Sequence, residues 1–594
     1  MKLIRIVLIA SLAMAVYACF ALCMAEPWFL ALFAIAAIAI AGKRGSDTLW
    51  AHGTARWADA GDLRRAGMLG SSSQGMVIGR MEVPKPKLQA VLGLINPHVG
   101  ASVACEAFLG LFRKSVEQPL VRLSNAVHTA VFAPTGVGKG VSCVIPFLLS
   151  CEDSCVVLDL KDGELAKITA EARRKMGHRI ILLDPYKRVT DTPDTLNSLL
   201  SIDKTSPFAI DDCRETAAAM VDRKDENGDG IHFLDNAERA IAGIAALVVQ
   251  FAEGEHKSLQ AVCDIVSNPQ KWLKAVELMS ASDAWEGMLA RMGGSLTHLK
   301  EREMASTMTT ISRFLTFLST PAIAASTRSS SFHPSELLTQ KLTVYLVLPS
   351  ERASTLSPLL RLWIGTLLRG VIRGGLQENN KVHFICDEAN LLGKMNQIAD
   401  ALTIGRGFGI RMQLYYQDCG QLKKCWPDGA DQTLLSNVSQ VFFGVNDLPT
   451  AEYVSSRLGE STIVVNSGGT NSGSSFSTGA DGGGGSTTRS KGANDNWAQQ
   501  GRHLLKPSEV LSLSQRIAIA FTPGVAPVWT RLLRYYEEAP VPGRGQRLWA
   551  GVKMLAGSVF IFAFALMMAM GVTVFASEKQ QERKVKATEP FWFR

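Results

Sequence analysis

The residues with the clearest chemical potential form a glycine-rich loop between an apolar segment and an apolar helix pattern. A loop that wraps a phosphate needs glycine where the backbone approaches the oxygens, a lysine that reaches the β- and γ-phosphates, and a helix N-terminus behind it. Gly136, Gly138 and Lys139 have these types at this spacing. The loop departs from the general pattern at Ala133, which holds the first glycine position, and at Gly140, where a serine or threonine usually ligates Mg²⁺. The residues predicted to bind nucleotide are Ala133, Pro134, Thr135, Gly136, Val137, Gly138, Lys139 and Gly140.

A second group of residues would complete such a site. The apolar run Val382–Cys386 ends in two carboxylates, Asp387 and Glu388. In P-loop ATPases an aspartate at this place holds Mg²⁺, and the adjacent glutamate polarises the attacking water as general base. A glycine-rich turn or a surface acidic pair could each occur alone, but both halves together predict ATP and Mg²⁺ as cofactors. Lys139 and Glu388 are then catalytic, and Asp387 is the metal ligand.

Two further side chains are candidates for contact with the γ-phosphate. Arg406 lies in the glycine-flanked stretch 405–409, where it could reach the nucleotide of a neighbouring subunit and stabilise transition-state charge. The alternative for Arg406 is a structural or solvated arginine. Gln417 follows a predicted strand, a position from which ring ATPases often sense the state of the nucleotide.

The elements that must position these residues indicate an α/β fold. Short β-branched runs that end in Gly, Asp or Pro alternate with longer helical patterns, as parallel-sheet units require. The predicted strands are Ala130–Ala133, Ser154–Leu158, Arg179–Leu183, Leu342–Val347, Val382–Cys386, Met412–Tyr416 and Val441–Gly444.

The same patterns divide the chain into domains. An ATPase domain is predicted in two parts, residues 43–235 and 322–548, around an all-α insert at 236–321. Gly and Ser supply 16 of the 26 residues at 467–492, so we expect a flexible loop there rather than a fold element.

Three apolar runs predict membrane helices. Residues 3–24 and 28–42 would form an N-terminal hairpin within 1–42, with basic residues at both outer ends placing both flanks in the cytoplasm. The alternative is a signal peptide cleaved near Ala25. A third run within 549–576 predicts a C-terminal membrane helix followed by a basic tail at 577–594.

Composition adds little about partners. The net charge of +8 permits a nucleic-acid partner without requiring one, and 47 % apolar residues argue against disorder. The eleven cysteines have no repeated spacing. Cys151 and Cys155 form the closest pair in the soluble region, but no His or Cys cluster lies near them in the sequence, so reduced thiols and no structural zinc are expected.

The motifs together resemble the coupling-protein ATPases of bacterial conjugation and type IV secretion, the TraG-like group. They run in family order over about residues 50–535. The matching stretches are HGTARWADAGDLRRAG (52–67), APTGVGKGVSCVIPFLL (133–149), SCVVLDLKDGEL (154–165), ILLDPY (181–186), FLDNAERAIAG (233–243), FICDEANLLG (384–393), GRGFGIRMQLYYQDCGQL (405–422), LLSNVSQVFFGVNDLPTAEYVS (434–455) and LLKPSEV (504–510).

The resemblance implies a RecA-like motor with an inserted all-α domain, anchored in the bacterial inner membrane and assembled as a homohexamer. It implies nucleotide chemistry at Lys139, Asp387 and Glu388, and an insert that meets a relaxosome or effector cargo. The further partners implied are single-stranded DNA, the channel ATPases and the inner-membrane components of the secretion system. One departure is Asp162, which adds a residue to the family's acidic motif at Asp159, Lys161 and Glu164.

Three functions follow as hypotheses. The first is an ATP-hydrolysing coupling motor that feeds relaxase-bound single-stranded DNA, protein effectors or both into a type IV secretion channel. The second is a nucleotide-binding cargo receptor that does not hydrolyse ATP. The third is a double-stranded DNA pump of related fold.

Overall fold

The computed structural model describes residues 52–69, 75–81, 119–124, 126–221, 231–298, 301–477 and 486–537. One compact unit covers residues 50–84 and 117–535, and it includes every described residue except 536 and 537. The predicted membrane segments 1–42 and 549–576 and the tail 577–594 lie outside the described residues. Among the helices that are described, none combines the length and hydrophobicity needed to cross a membrane.

An eleven-stranded mixed sheet forms the centre of this unit. Its spatial order is β2-β1-β13-β12-β9-β3-β8-β7-β4-β6-β5. The seven strands from β9 to β5 are parallel, and the four at the other end are antiparallel. The strands of this sheet are β1 (Met76–Met81), β2 (Leu120–Leu123), β3 (Thr129–Phe132), β4 (Ser154–Asp159), β5 (Arg179–Leu183), β6 (Leu342–Val347), β7 (Val382–Cys386), β8 (Ile410–Tyr416), β9 (Ser439–Phe443), β12 (Ile517–Phe521) and β13 (Val528–Arg531).

The parallel strands are mainly apolar because both faces of the sheet are covered. Ala130 and Phe132 of β3 join one buried cluster, whereas Val131 joins the other. Successive side chains of a strand point to opposite faces, so a strand that is buried twice reads as a continuous apolar run. All seven strands predicted from the sequence are present, and they are the seven parallel ones.

Helices connect the parallel strands and cover the two faces. The described helices are α1 (Ala60–Arg65), α2 (Ile145–Leu148), α3 (Glu164–Lys175), α4 (Ala209–Met220), α5 (Ile231–Phe251), α6 (Leu259–Ser267), α7 (Pro269–Ser280), α8 (Ala284–Thr297), α9 (Glu301–Leu315), α10 (Pro321–Arg328), α11 (Glu336–Thr339), α12 (Ser357–Arg373), α13 (Asn396–Thr403), α14 (Cys419–Cys425), α15 (Ala430–Ser436), α16 (Leu448–Leu458) and α17 (Pro507–Leu511). A π-helical turn, Gly140–Val144, leads into α2.

The region of the predicted insert, 236–321, is helical in its described residues. Helices α4 to α11 follow one another between β5 and β6, with no described strand among them. Their buried residues, such as Trp272 of α7 and Phe314 of α9, belong to the same apolar cluster as one face of the sheet. This helical region therefore shares its core with the sheet.

The prediction of a flexible loop at 467–492 is wrong for most of that stretch. Strands β10 (Glu460–Ser477) and β11 (Ser486–His503) form a two-stranded antiparallel hairpin, paired from Glu460↔His503 to Ser477↔Ser486. The paired backbone continues through the Gly- and Ser-rich sequence, which composition alone does not reveal. Residues 478–485 between the strands lie outside the described residues.

The antiparallel end of the sheet was not predicted either. It joins strands from both ends of the compact unit, because β1 pairs with β13 and β12 pairs with β9. The backbone N–H of Leu532 donates to the carbonyl of Arg516 at 2.7 Å, just beyond β13. This pairing returns the last part of the described chain to the neighbourhood of β3.

Candidate nucleotide-binding site

The glycine-rich loop follows β3 at the carboxyl edge of the parallel strands. The N–H of Ala133 continues the pairing with β8 by donating to the Tyr416 carbonyl at 3.1 Å. Gly136 and Gly138 then adopt φ of +85° and +102°, which L-residues with side chains rarely adopt. A Cβ at Gly138 would also lie 3.1 Å from Val141 Cγ2. These two left-handed conformations let the loop turn sharply, and the π-helical turn begins at Gly140.

Lys139 is held at the floor of the resulting cleft. Its side chain is only 6 % exposed, and Nζ donates to the Ala133 carbonyl at 2.7 Å. The same Nζ lies 3.8 Å from Glu388 Oε1. Thus the loop and the acidic end of β7, 249 positions apart in sequence, meet at one point. The cleft is lined by Pro134, Thr135, Gly136, Gly138, Lys139, Gly140, Val141, Ile145, Asp159, Lys161, Glu164, Leu165, Asp387, Glu388 and Arg534.

The two carboxylates after β7 have different surroundings. Asp387 is buried; Oδ2 lies 4.0 Å from Lys161 Nζ, and Oδ1 has no hydrogen-bond partner among the described residues. Burial raises the pKa of Asp387, an effect that Lys161 opposes. Glu388 has φ +66°, and its Oε2 accepts a hydrogen bond from Gln417 Nε2 at 3.4 Å. Gln417 therefore reaches the site through Glu388.

The acidic motif after β4 forms another wall of the cleft. Asp159 is 1 % exposed; Oδ2 accepts from the Ala166 N–H at 2.9 Å, whereas Oδ1 has no partner among the described residues. Burial, with a smaller contribution from the charge of Asp387, raises the pKa of Asp159 to about 6. The additional residue Asp162 is accommodated by consecutive left-handed conformations, φ +53° at Asp162 and +76° at Gly163. Lys161 and Glu164 thus still face the cleft.

This arrangement fits a divalent cation beside the phosphate loop. Asp159 and Asp387 are two buried carboxylates, and each has one oxygen without a hydrogen-bond partner in the described part of the chain. Burial raises the pKa of both. A cation with oxygen ligands would satisfy these atoms and restore the charged forms, and Mg²⁺ prefers such ligands. Asp387, the predicted metal ligand, is placed for this role, and Asp159 joins it.

The predicted loop residues fall into two groups. The first group lines the cleft and consists of Pro134, Thr135, Gly136, Gly138, Lys139 and Gly140. Ala133 and Val137 are instead buried in the core cluster behind the loop, and Ala133 takes part through its backbone carbonyl. The sequence therefore identifies the loop, while the structure separates the residues that face the cleft from those that support it.

Arg406 lies away from the cleft of its own chain. It is exposed in a short 3₁₀ turn, Gly405–Phe408, that precedes β8. The cleft lies beyond the other end of β8, and a seven-residue strand spans about 20 Å. In this chain Arg406 and Lys139 thus lie at opposite ends of the parallel strands.

Arg534 lines the cleft, although no sequence pattern predicted it there. It follows β13 and is held between two anchors, since Leu532 is buried and the Tyr535 N–H donates to the Val141 carbonyl at 3.1 Å. A Cβ built on Gly138 would lie 4.0 Å from Arg534 Nε. No motif surrounds this arginine, and only the antiparallel end of the sheet brings it to the loop.

The parallel sheet, with the glycine-rich loop and the acidic strand ends at one of its edges, defines a P-loop α/β fold. The sequence model of the family "Type IV secretory system Conjugative DNA transfer" matches residues 56–584. The chain belongs to this family, which confirms the resemblance seen in its motifs. It is 28 % identical to protein VirD4 of Rhizobium radiobacter over 499 residues, covering 82 % of this chain and 64 % of that protein.

A second relative is the conjugal transfer protein TraG of Escherichia coli. It is 25 % identical over 445 residues, which cover 72 % of this chain and 67 % of the relative. A match to protein VirD4 of Agrobacterium fabrum covers 66 % of that protein, so this chain spans less than two thirds of the VirD4 relatives just named.

Solved structures of the plasmid coupling protein TrwB share the fold. The unbound TrwBdeltaN70 form superposes with a TM-score of 0.54 at 16 % identity, over 82 % of this chain and 96 % of TrwB. TrwB in complex with ADP and Mg²⁺ gives a TM-score of 0.52 at 15 % identity, over 80 % of this chain and 98 % of that structure.

Proposed function

We propose that this chain is a membrane-anchored coupling ATPase that recruits relaxase-bound single-stranded DNA, protein effectors or both and drives them into a type IV secretion channel. The observation that carries the proposal is the single cleft in which the phosphate loop, Lys139 and the acidic ends of β4 and β7 meet, in a chain of the conjugative DNA transfer family. Relatives named as coupling proteins, and TrwB in complex with ADP and Mg²⁺, support it.

The residues of the cleft suit binding and hydrolysis of ATP. When bound with Mg²⁺, ATP supplies the phosphoanhydride bond whose hydrolysis powers movement. The backbone of the loop from Gly136 to Gly140 orients the phosphates, and Lys139 turns from the Ala133 carbonyl toward them. Asp387 and Asp159 would hold the cation. Glu388 accepts a proton from the attacking water, and the amide of Gln417 fixes the orientation of that carboxylate.

Phosphate release separates this motor from a receptor that binds nucleotide without hydrolysing it. We expect Glu388→Gln to bind ATP about as tightly as the natural chain but to hydrolyse it at least about 100-fold more slowly, because general-base catalysis contributes about 10²–10⁴. Lys139→Ala should lose binding as well. Hydrolysis by Glu388→Gln at the rate of the natural chain would contradict the motor assignment of this cleft. ATP binding without hydrolysis by the natural chain, with or without cargo, would favour the receptor.

Cargo is tested by adding DNA to the same assay. The sequence has no obvious aromatic and basic stacking surface, so contact with DNA should run mainly through backbone phosphates. Affinity for single-stranded DNA should then fall steeply as salt rises from 50 to 200 mM. Salt-independent activation by a protein effector would identify protein cargo. Stronger stimulation by double-stranded DNA would favour the double-stranded DNA pump.

Membrane anchoring rests on the apolar runs within 1–42 and 549–576. We propose that both anchor the chain in the inner membrane with the ATPase domain in the cytoplasm, where it assembles as a homohexamer beside the channel ATPases and inner-membrane components. The C-terminal run and its basic tail are proposed to contact the channel. Deleting 549–594 should reduce transfer while leaving ATP hydrolysis unchanged. Transfer at the level of the full chain would exclude this role.

A further inference from the structure

A buried cluster of sulfur, nitrogen and oxygen donors lies at the amino-terminal ends of the parallel strands, whereas the nucleotide cleft lies at their carboxyl ends. Cys151 and Asp153 precede β4, and His383 is the second residue of β7. In the parallel pairing of these strands Cys155 lies directly opposite His383. No histidine lies near Cys151 and Cys155 in the sequence, but strand pairing brings His383 to them from 228 positions beyond Cys155.

The donor atoms already lie close together. His383 Nε2 is 3.1 Å from Asp153 Oδ2, and Cys151 Sγ is 4.0 Å from the same oxygen. One donor atom from each of Cys151, Asp153 and His383 lies within 4.8 Å of the other two. Cys151 and His383 are 4 % and 9 % exposed, and the edge of the His383 ring packs on Phe147 with centroids 4.9 Å apart.

A second thiol, Cys155, lies beside this trio and is the candidate for the fourth ligand. Cys155 Sγ lies 3.5 Å from the Asp153 carbonyl and 3.4 Å from Arg173 Nη2. The Arg173 guanidinium is itself fully buried and donates to the carbonyls of Cys151 and Asp153. Two thiolates and one carboxylate carry three negative charges. Arg173 supplies one positive charge, so a divalent cation would bring this buried site to neutrality, which burial strongly favours.

We propose that Cys151, Asp153, Cys155 and His383 bind one Zn²⁺ ion. Thiolate sulfur, imidazole nitrogen and carboxylate oxygen in a set of four match the ligand preference of zinc. Zinc–ligand bonds of 2.0–2.3 Å in a tetrahedron separate the donors by about 3.3–3.8 Å. The donor atoms of Cys151, Asp153 and His383 lie within 4.8 Å of one another. They would therefore need to approach by at most about 1 Å to bind the ion.

The ion would have a structural role. It would join the beginnings of β4 and β7, and Asp159 and Asp387 lie four residues further along these two strands from Cys155 and His383. Four strand residues span about 13 Å, so the zinc would not contact nucleotide. The proposal does not depend on ATP hydrolysis and would stand if the proposed function failed.

Zinc content of the full chain tests the proposal directly. Purified without chelator, the natural chain should carry one zinc per chain by elemental analysis. Cys151→Ser and His383→Gln should lose most of it, at least about fivefold. Cys263→Ser, at a half-buried cysteine of α6 outside the cluster, is the matched control and should keep full occupancy. Equal zinc content in all four proteins would overturn the proposal.

A spectroscopic arm covers the case in which the variants fail to fold. Zinc removed from the natural chain by a chelator should lower its melting temperature, and added Zn²⁺ should restore it. Added Co²⁺ should give the thiolate-to-metal charge-transfer absorption that sulfur ligands produce. A chain that is purified without metal and shows neither shift nor absorption would overturn the proposal. A disulfide between Cys151 and Cys155 in place of a metal would do so equally.

Discussion

Individual residues of the nucleotide cleft differ in how far the sequence reveals them. Lys139, Asp387 and Glu388 stand out because their chemistry requires a fixed local pattern, a glycine-rich turn or a carboxylate at the end of an apolar strand. Arg534 has no such pattern, since its place depends on β13 pairing with β1 and β12. A guanidinium beside the loop supplies positive charge where phosphates would lie.

We expect Arg534→Ala to weaken ATP binding about 10- to 100-fold. Hydrogen bonds to charged groups contribute about 1.5–3 kcal/mol, and Arg534→Lys should keep part of this because the charge remains. Titration with a fluorescent ATP analogue measures the effect. Arg531→Ala, at an exposed arginine of β13 three residues earlier, is the matched control. Equal affinity of Arg534→Ala and the control would place no phosphate contact at Arg534.

Asp159 should make stability depend on pH in the absence of nucleotide. Its pKa is about 6 in the folded chain, above the ordinary value of 3.8. Between these two pH values the folded chain retains a proton that the unfolded chain has released. The free energy of unfolding therefore falls as pH rises from about 4 to about 6.

Asp159→Asn should remove this contribution. The loss of stability between pH 4 and pH 7 should become smaller by about 1–3 kcal/mol, since one unit of pKa corresponds to about 1.4 kcal/mol. Denaturant unfolding at the two pH values gives the difference. Glu152→Gln changes an exposed carboxyl before β4 and should leave the pH dependence unchanged. The same pH dependence in Asp159→Asn as in the natural chain would contradict the assignment.

At the scale of elements, the turn from β3 into α2 shows why two glycines two residues apart have different roles. Gly138 has φ +102° and close contact with Val141, whereas a Cβ at Gly140 would meet nothing within 4 Å. Gly140 is also the first residue of the π-helical turn, with no positive φ. Gly138 is therefore required by the turn, and Gly140 is not required by space.

Alanine substitution should separate the two positions. Gly140→Ala should raise the free energy of unfolding by about 0.5–1 kcal/mol, because alanine loses less conformational freedom than glycine in a helical turn. Gly138→Ala should lower it by about 1–3 kcal/mol through backbone strain, and should also weaken nucleotide binding. Denaturant unfolding and ATP titration of the two variants provide the measurement, each serving as the control for the other. A similar loss in both would mean that Gly140 is sterically required.

The hairpin β10–β11 shows the limit of composition as a guide to elements. Its Gly- and Ser-rich sequence has the composition of a flexible linker. The backbone nevertheless finds hydrogen-bond partners, because the two strands pair along their length. Most of this hairpin lacks the apolar runs from which the strands β3 to β9 were predicted. A sequence argument built on apolar runs cannot detect such a ribbon.

At the scale of the whole molecule, we propose that Arg406 acts within an assembly of several chains. Arg406 and Lys139 lie at opposite ends of the parallel strands, so Arg406 could act on phosphate only in a neighbouring chain. Each nucleotide site would then combine the loop of one subunit with the arginine of the next.

Mixing two inactive variants tests this arrangement. Lys139→Ala and Arg406→Ala should each hydrolyse little ATP alone. Equal mixing should restore about a quarter of the activity of the natural chain, since about one interface in four then combines an intact loop with an intact arginine. Phosphate release after subunit exchange measures the recovery. Lys424→Ala, at an exposed lysine of α14, replaces Arg406→Ala in a control for the general effect of losing a basic residue after β8. Absence of recovery in the mixture would assign Arg406 a structural role.

The sequence by itself determined the parallel strands, the phosphate loop, the acidic strand end and the family of this chain. These features are local, because apolar runs, glycine turns and strand-end carboxylates each require neighbours within a few positions. Only the tertiary structure decided which distant residues share a site: Arg534 with the loop, Asp159 with Asp387, and His383 with Cys151 and Cys155. Strand order and register set those contacts, and no short-range pattern in the chain encodes them.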